Sequence, residues 1–530
     1  MLRLNEVKLA LDHDAGALQR AVIANLGIRP DELIETRIFR QAVDARKKKA
    51  IHLVYTLDVA LKNEQRFLGR RKSKSVIPAP DITYHEVAAG KEKLAGSPLV
   101  VGSGPAGLFA ALLLARQGYR PIVLERGKPV DERYRDVERF WSAGQLAADS
   151  NLHFGEGGAG TFSDGKLTTL IHDPRCRKVL EEFVAAGAHA DILYLGKPHL
   201  GSDRLPAIVQ NIRQTIIGLG GEVHFNCCVS GLKVKDNKIA AVDISGQDTM
   251  EAPAVILALG NSARDTFAML FETGLKLQGK PFSIGVRIEH PQSQIDEAQY
   301  GSDAGHPRLG AADYKLVFHA ANGRSAYSFC MCPGGQVVAS ATEAGGLVTN
   351  GMSLYARDGD NANSALLVGV SPADFSSDHP LAGIEFQRTW ERKAFDLGGK
   401  NYYAPLQLVG DFLANLPTSV LGDIQPTYRP GWRLAQLADC LPVYVTETLR
   451  LALPFFEKRL PGFSRHDAVL TGVETRSSSP VRIVRNNDFE SNIQGLYPAG
   501  EGAGYAGGIM SSAVDGIRAA EALIRKYACP

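Results

Sequence analysis

Pro98-Leu-Val-Val-Gly-Ser-Gly-Pro-Ala-Gly-Leu108 decides the fold of this chain. An apolar run, Pro98 to Val101, leads into the glycines, and a helix-like stretch follows from Leu108 to Gln117. A second apolar run, Pro121-Ile-Val-Leu124, then ends in Glu125. That is the order of a dinucleotide-binding βαβ unit. Its glycines make a tight turn and let backbone approach a pyrophosphate, which the positive pole of the new helix attracts. The acid after the second strand accepts hydrogen bonds from an adenosine ribose. The G-x-G-x-x-G spacing alone is a weak signal; strand, helix, second strand and acid in register make it specific.

Outward from this unit, 530 residues suffice for two or three domains with a large core. Apolar residues make up 45% and charged residues 22%, as in soluble globular proteins. A net charge of +2 gives no global reason for nucleic-acid or membrane binding. No apolar run approaches the ~18 residues of a membrane span, and Met1 to Lys8 lacks a signal peptide's apolar stretch. The seven cysteines show neither disulfide nor zinc spacing, so no metal site is expected and a reducing cytoplasm is the expected compartment.

Residues 1–92 read as a separate α+β module: strands at Leu4 to Leu11, Glu35 to Val43 and Ile51 to Val59, with a helix at Gly16 to Leu26. Pro78 to Pro98 reads as a linker. Residues 1–96 hold 18 Lys+Arg against 12 Asp+Glu, largely through Arg46-Lys-Lys-Lys49 and Arg70-Arg-Lys-Ser-Lys74. Such runs are usually solvated turns, and an RNA-binding face is the lesser reading. Further on, a helix is expected at Leu205 to Leu219 and strands at Glu222 to Phe225 and Ile239 to Ile244. Ala254-Val-Ile-Leu-Ala-Leu-Gly260 reads as a strand covered on both faces. The α/β rhythm is lost between Gly274 and Pro461, where strands at Phe282 to Ile288, Tyr327 to Met331 and Gln336 to Ala341 precede a helical part around Leu434 to Leu451. It returns at Gly495-Leu-Tyr-Pro-Ala-Gly500 and a closing helix, Ile509 to Tyr527. The expected division is 93–274 and 466–530 for one interrupted nucleotide domain, with 275–465 inserted as an α+β substrate domain.

Three segments in this order, Gly102-Ser-Gly-Pro-Ala-Gly107 with Glu125-Arg126, Val255 to Asn261, and Gly495 to Glu501, resemble the FAD contacts of the glutathione-reductase-type superfamily. With Arg40-Gln-Ala-Val-Asp-Ala-Arg46, Phe329-Cys-Met-Cys-Pro-Gly-Gly335 and Glu501-Gly-Ala-Gly-Tyr-Ala-Gly-Gly508, the chain resembles a bacterial family of largely uncharacterised FAD-dependent dehydrogenases over nearly its whole length. The resemblance implies a discontinuous Rossmann-like FAD domain, non-covalent FAD, and hydride transfer with a small-molecule substrate it does not name. It implies that Gly102, Ser103, Gly104, Ala106 and Gly107 bracket the pyrophosphate. Glu125 would hold the adenosine ribose, Arg126 would border the adenine, and the Val229 backbone would meet the adenine edge. Ala258 and Gly260 would pass the diphosphate closely. Gly500 precedes Glu501, which stands where most relatives carry Asp. Gly507, Gly508 and Ile509 begin the last helix, whose positive end would face the pyrimidine edge of the isoalloxazine.

The loop Phe154 to Lys166 is where glutathione-reductase relatives place a redox disulfide. Aligning Gly157-Gly158 puts Gly160 and Gly165 at the cysteine positions, so that activity is disfavoured; Gly158 and Gly160 are expected beside the cofactor. Lys166 falls near the position of a lysine set by flavin N5, against the blander reading of a solvent-exposed or core-capping lysine. No second G-x-G-x-x-G is present, so NAD(P)H would serve as a transient donor without its own Rossmann domain. Cys330 and Cys332, two apart in a strand-like run, would share a face. They read either as a thiol pair exchanging electrons or as buried apolar residues. Arg287, His290, Glu474 and Arg476 are candidate substrate contacts or satisfied structural residues. Two alternatives stay open: a tRNA- or thiol-directed flavoprotein, and a non-catalytic FAD-binding sensor.

Overall fold

Five short strands form an all-parallel sheet in the order Leu496–Pro498, Val255–Leu257, Leu99–Val101, Ile122–Leu124 and Glu222–His224. The computed structural model describes residues 1–65 and 75–529, and the basic run Arg70 to Lys74 lies outside them. The three strands Leu496–Pro498, Val255–Leu257 and Leu99–Val101 are buried at every residue, as a parallel sheet covered on both faces requires. Val100, Val123, Ile256 and Tyr497 point to one face, where the helices Pro105–Arg116 and Ile509–Lys526 pack together. Leu99, Val101, Val255 and Leu257 point to the other, against a three-stranded antiparallel meander, Val229–Lys235, Lys238–Ile244 and Thr249–Glu251.

The two helices approach closely because small residues line their contact. A Cβ on Gly516 would collide with the Ala106 carbonyl. Pro105 opens the earlier helix at a position where its missing N–H costs nothing. The chain therefore completes this layer only when its last 35 residues return.

Between these parts lies a seven-stranded sheet in the order Val317–His319, Ser325–Cys332, Asn361–Val370, Phe282–Pro291, Val469–Glu474, Ala404–Leu408 and Trp432–Leu434. Phe282–Pro291 pairs with Asn361–Val370 along ten residues. The expected boundary at 465/466 is corrected: Val469–Glu474 is an interior strand of this sheet, hydrogen-bonded to both Phe282–Pro291 and Ala404–Leu408. Its apolar run fits either sheet, and only long-range pairing assigns it. The helical part expected around 434–451 lies later, at Val443–Arg459. The chain enters and leaves the insertion through a two-stranded antiparallel ribbon, Leu277–Gly279 with Val481–Ile483.

The amino-terminal strands Leu33–Asp44, His52–Leu61, Leu2–Ala10 and Val76–Pro78 make an antiparallel sheet in that order, packed on the helix Ala17–Leu26. Its core is continuous with the insertion, since Leu57 and Val59 belong to the same apolar cluster as Val286 and Ile288. Arg46 to Lys49 form an exposed turn, with Arg46 bonded to Asp44 at 2.7 Å. Among the described residues, no helix is long and apolar enough to cross a membrane and no cluster of side chains has metal-ligand form.

Candidate active site

The first turn of the βαβ unit is built by exclusion. Gly102 has φ +99°, and a Cβ there would strike the Ala258 carbonyl; a Cβ on Gly107 would strike the Gly102 carbonyl. These two glycines let strand, turn and helix touch. Gly104 differs, because its Cβ would meet only the Gly158 Cα, at 3.9 Å, and would otherwise point into open space. That space belongs to one long cleft, partly open to solvent.

The cleft runs from Gly102, Gly104 and Ala106, past Ala258 and Gly260, to Gly507, Gly508 and Ile509. Cβ atoms on Gly260, Gly507 and Gly508 would meet nothing within 4 Å. Glu125, Arg126, Val229, Gly158, Gly160 and Glu501 also line it. Ser103, Gly107 and Gly500 do not; they stand one layer behind. Ser103 is bonded to Glu125, Gly107 packs under Gly102, and the Gly500 N–H donates to Asp515 at 2.7 Å. Ser103 and Gly107, expected to bracket the pyrophosphate, and Gly500, expected beside the cofactor, thus sit behind the cleft wall.

Glu125 is engaged more fully than its expected ribose contact implied. Oε2 accepts from the Ser103 N–H and hydroxyl, and Oε1 from the N–H groups of Gly127 and Gly155, all at 2.8–2.9 Å. These four bonds occupy the lone pairs of a carboxylate, so a ribose hydroxyl would replace the Ser103 hydroxyl. Arg126 bonds Asp265 at 2.8 Å and lies over the Phe154 ring, at the end of the cleft also lined by Val229 and Cys227.

The cleft floor depends on a residue that no motif or periodicity singles out. Arg133, fully buried, donates to the carbonyls of Asn151, Leu152, Gly155, Glu156 and Gly158. One guanidinium thereby satisfies five acceptors of a loop with little secondary structure of its own. His153, also absent from the sequence-based candidates, bonds the hydroxyls of Ser340 and Ser262, and burial holds its imidazole well below the ordinary value. It is a neutral bridge between the nucleotide domain and the insertion.

At the far end the inserted sheet supplies polar groups. Lys166, Cys330, Asn350, Glu474 and Arg476 line the same cleft as Gly507 to Ile509. Lys166 pairs with Asp164 at 2.8 Å, and Arg357 grips Asp164 at 2.6 and 2.9 Å. Burial opposes charge on Asp164, but Lys166 and Arg357 hold it down to about 2. Burial likewise opposes charge on Lys166, and the negative charge shared by the Cys332/Cys330 pair, with that of Asp164, outweighs it, so the ammonium persists. Glu501 accepts from Asn261 at 2.8 Å, and burial pushes its carboxyl up to about 7.

Three candidates are displaced from the substrate side. Arg287 is fully buried behind the wall, donating to Glu474 at 2.6 and 3.0 Å and to the Cys330 carbonyl at 3.2 Å. His290 is buried against the Phe463 carbonyl at 2.7 Å, with burial pushing it down to about 4. Cys332 is wholly buried, while Cys330 is part-exposed in the cleft. The shared face expected of the two cysteines fails because the strand bulges between Phe329 and Cys332, with Cys330 at φ +45°. Arg476 reaches the cleft but is clamped with Arg264 on Glu391, at 2.7–3.1 Å.

Comparison with known proteins agrees with this geometry. Residues 97–135 match the family profile of an FAD binding domain, and residues 281–477 that of an FAD-dependent protein, C-terminal domain-like. Residues 1–60 match a domain of unknown function. An uncharacterised protein of Clostridium beijerinckii is 49% identical over 531 residues, covering 100% of this chain and 99% of that one. Among solved structures, L-proline dehydrogenase from P. horikoshii is 13% identical over 83% of this chain and 96% of its own, with TM-score 0.35. CtdE in complex with FAD is 12% identical over 81% and 83%, with TM-score 0.30. The open glycine path, the helix end and the profile matches fit one cofactor, and the chain belongs to a family of FAD-dependent proteins.

Proposed function

We propose that this protein is an FAD-dependent oxidoreductase, a dehydrogenase that transfers a hydride between flavin and a small organic substrate held against the inserted sheet. One observation carries the reading. The glycine path for the cofactor and the polar groups Lys166, Cys330, Glu474 and Arg476 share a single cleft rather than two separate sites.

Bound FAD supplies two-electron redox chemistry at its isoalloxazine ring. The chain's own groups prepare that end of the cleft. The first N–H groups of the helix Ile509–Lys526 have no partners within the helix, and their positive pole suits an acceptor that gains negative charge. Lys166 adds a fixed positive charge, kept in place by Asp164 and Arg357. Glu501, with its carboxyl near neutrality, can hold or release a proton there. His153, Phe154 and Arg126 line the other wall, with the Arg126 guanidinium lying over the Phe154 ring. NAD(P)H would reach the flavin through the same mouth as the substrate.

The test is anaerobic reduction of the purified yellow protein with NADH, NADPH and a panel of amines, alcohols and activated alkenes, followed by flavin absorbance. Bleaching by one donor, with reoxidation by a distinct acceptor, supports the enzyme. Tightly bound FAD that no donor reduces would favour a sensing role instead.

A further inference from the structure

The strand Ser325–Cys332 breaks its ladder where it meets the cleft. Its pairing with Asn361–Val370 runs to Phe329, skips two residues and resumes at Cys332 opposite Asn363. Cys330 occupies the skipped segment at φ +45°, a conformation unusual for a side chain with a Cβ. Strained backbone of this kind persists where surrounding structure over-determines it, and it concentrates at working sites. Here the bulge turns the Cys330 side chain into the cleft and leaves Cys332 buried directly behind it.

The Cys332 thiol donates to the Cys330 carbonyl at 3.3 Å, which sets it directly behind the residue that faces the cleft. The Lys166 ammonium and the Arg287 guanidinium flank the two thiols; Asp164, Glu474 and Glu501 are the acidic groups nearby. The neighbouring Cys332 thiol, with Lys166 and Arg287, holds the Cys330 thiol well below its ordinary value against burial and Asp164, while Cys332 itself is pushed up. An accessible thiolate backed by a buried thiol is the arrangement that thiol–disulfide exchange needs.

We infer that Cys330 and Cys332 form a dithiol redox pair at the flavin end of the cleft, with Cys330 as nucleophile, Cys332 as resolving thiol, and a small disulfide as substrate. The inference rests on the oxidoreductase reading and names a substrate class for it. The Cys330 thiolate attacks one sulfur of the substrate, the substrate S–S bond breaks, and the first thiolate leaves and takes a proton. Cys332 then loses its proton and attacks the Cys330 sulfur, expelling the second thiolate. The substrate gains two electrons and two protons, and the protein is left with a Cys330–Cys332 disulfide. Reduced FAD, itself reduced by a nicotinamide or equivalent two-electron donor, returns two electrons to that disulfide and restores both thiols.

The experiment reads the cysteines and needs no flavin turnover, so its failure is separable from failure of the oxidoreductase reading. Holoprotein is treated with limiting iodoacetamide at neutral pH, and in a separate arm with hydroxyethyl disulfide, and the peptides are weighed. Cys330 is expected to alkylate roughly tenfold faster than the exposed Cys529. The disulfide arm is expected to leave wild-type protein two hydrogens lighter in the peptide bearing both cysteines. Cys332→Ser is expected to retain one mercaptoethanol on Cys330, and Cys330→Ser none. Alkylation of Cys330 no faster than Cys529, or Cys332→Ser protein with no adduct on Cys330 while its FAD remains bound, would overturn the inference.

Discussion

A single residue, Ser103, supplies two of the four hydrogen bonds to Glu125, its N–H and its hydroxyl both lying 2.8 Å from Oε2. Glu125 therefore ties the glycine turn to Gly127 and to the loop at Gly155 before any cofactor arrives. Glu125→Ala should destabilise the FAD-free protein by about 2–4 kcal/mol, because buried backbone donors lose a charged acceptor. Urea unfolding of the apoprotein checks this. A variant that unfolds like wild type and only binds FAD more weakly would return Glu125 to a purely ligand-facing role.

Gly104 and Gly107 separate the needs of ligand and fold. Gly104→Val places its side chain in open space, so the apoprotein should melt within a few degrees of wild type yet take up no FAD. Gly107→Ala meets the Gly102 carbonyl and should lower apoprotein stability by about 1–3 kcal/mol, as overpacking does. Melting temperature and FAD per protein, measured on both variants, decide it. Equal melting temperatures for the two would show that the turn relaxes more readily than its contacts suggest.

Glu501 gives a pH dependence of definite sign. Burial raises its carboxyl from 4.5 to about 7, so the folded protein holds the proton more tightly than the unfolded chain. Its contribution to stability is full below 4.5 and is lost as pH rises through about 7. Glu501→Gln, which stays neutral, should match the wild-type apoprotein near the acid end of this window and gain melting temperature over it above neutrality. Scanning calorimetry of the two proteins across the window is the measurement. A constant offset at every pH would assign the titration to another group.

What the sequence revealed and what it concealed divide on locality. The Gly102–Gly107 turn, Glu125 and the strand Val255–Leu257 each announce themselves by a contiguous apolar run, and the helix from Ile509 by the glycine pair before its periodic apolar residues. Arg133 does not, because its partners lie 18 to 25 residues away in a loop without periodicity. Nor does the Glu391 clamp on Arg264 and Arg476, which joins three distant elements. The cysteines deceived for a different reason. Alternation along Ser325–Cys332 holds only while every φ is extended, and Cys330 departs from that.

The linker between the amino-terminal sheet and the first nucleotide strand is also more than a tether. Gly90 and Glu92 bond the end of the last helix, and Tyr84 donates to Glu521 at 3.0 Å. A truncation starting at Ala79 should keep these contacts and its FAD, with poorer solubility, because the apolar cluster of the insertion loses its cover. A truncation starting at Lys93 should melt lower by several degrees and lose FAD more readily. Soluble yield, melting temperature and FAD content of the two compare them; identical behaviour would relieve residues 79–92 of any part in seating the last helix.

The ribbon of Leu277–Gly279 with Val481–Ile483 sets the entry and exit of the insertion side by side, at the ~4.8 Å spacing of paired strands. To the nucleotide domain, about 200 intervening residues count as a short turn, because a folded insertion whose ends are already paired is spared the closure entropy of a flexible loop of that length. The insertion is a parenthesis in the chain. Its contents can lengthen, shrink or be rewritten for another substrate while the sentence around it still parses.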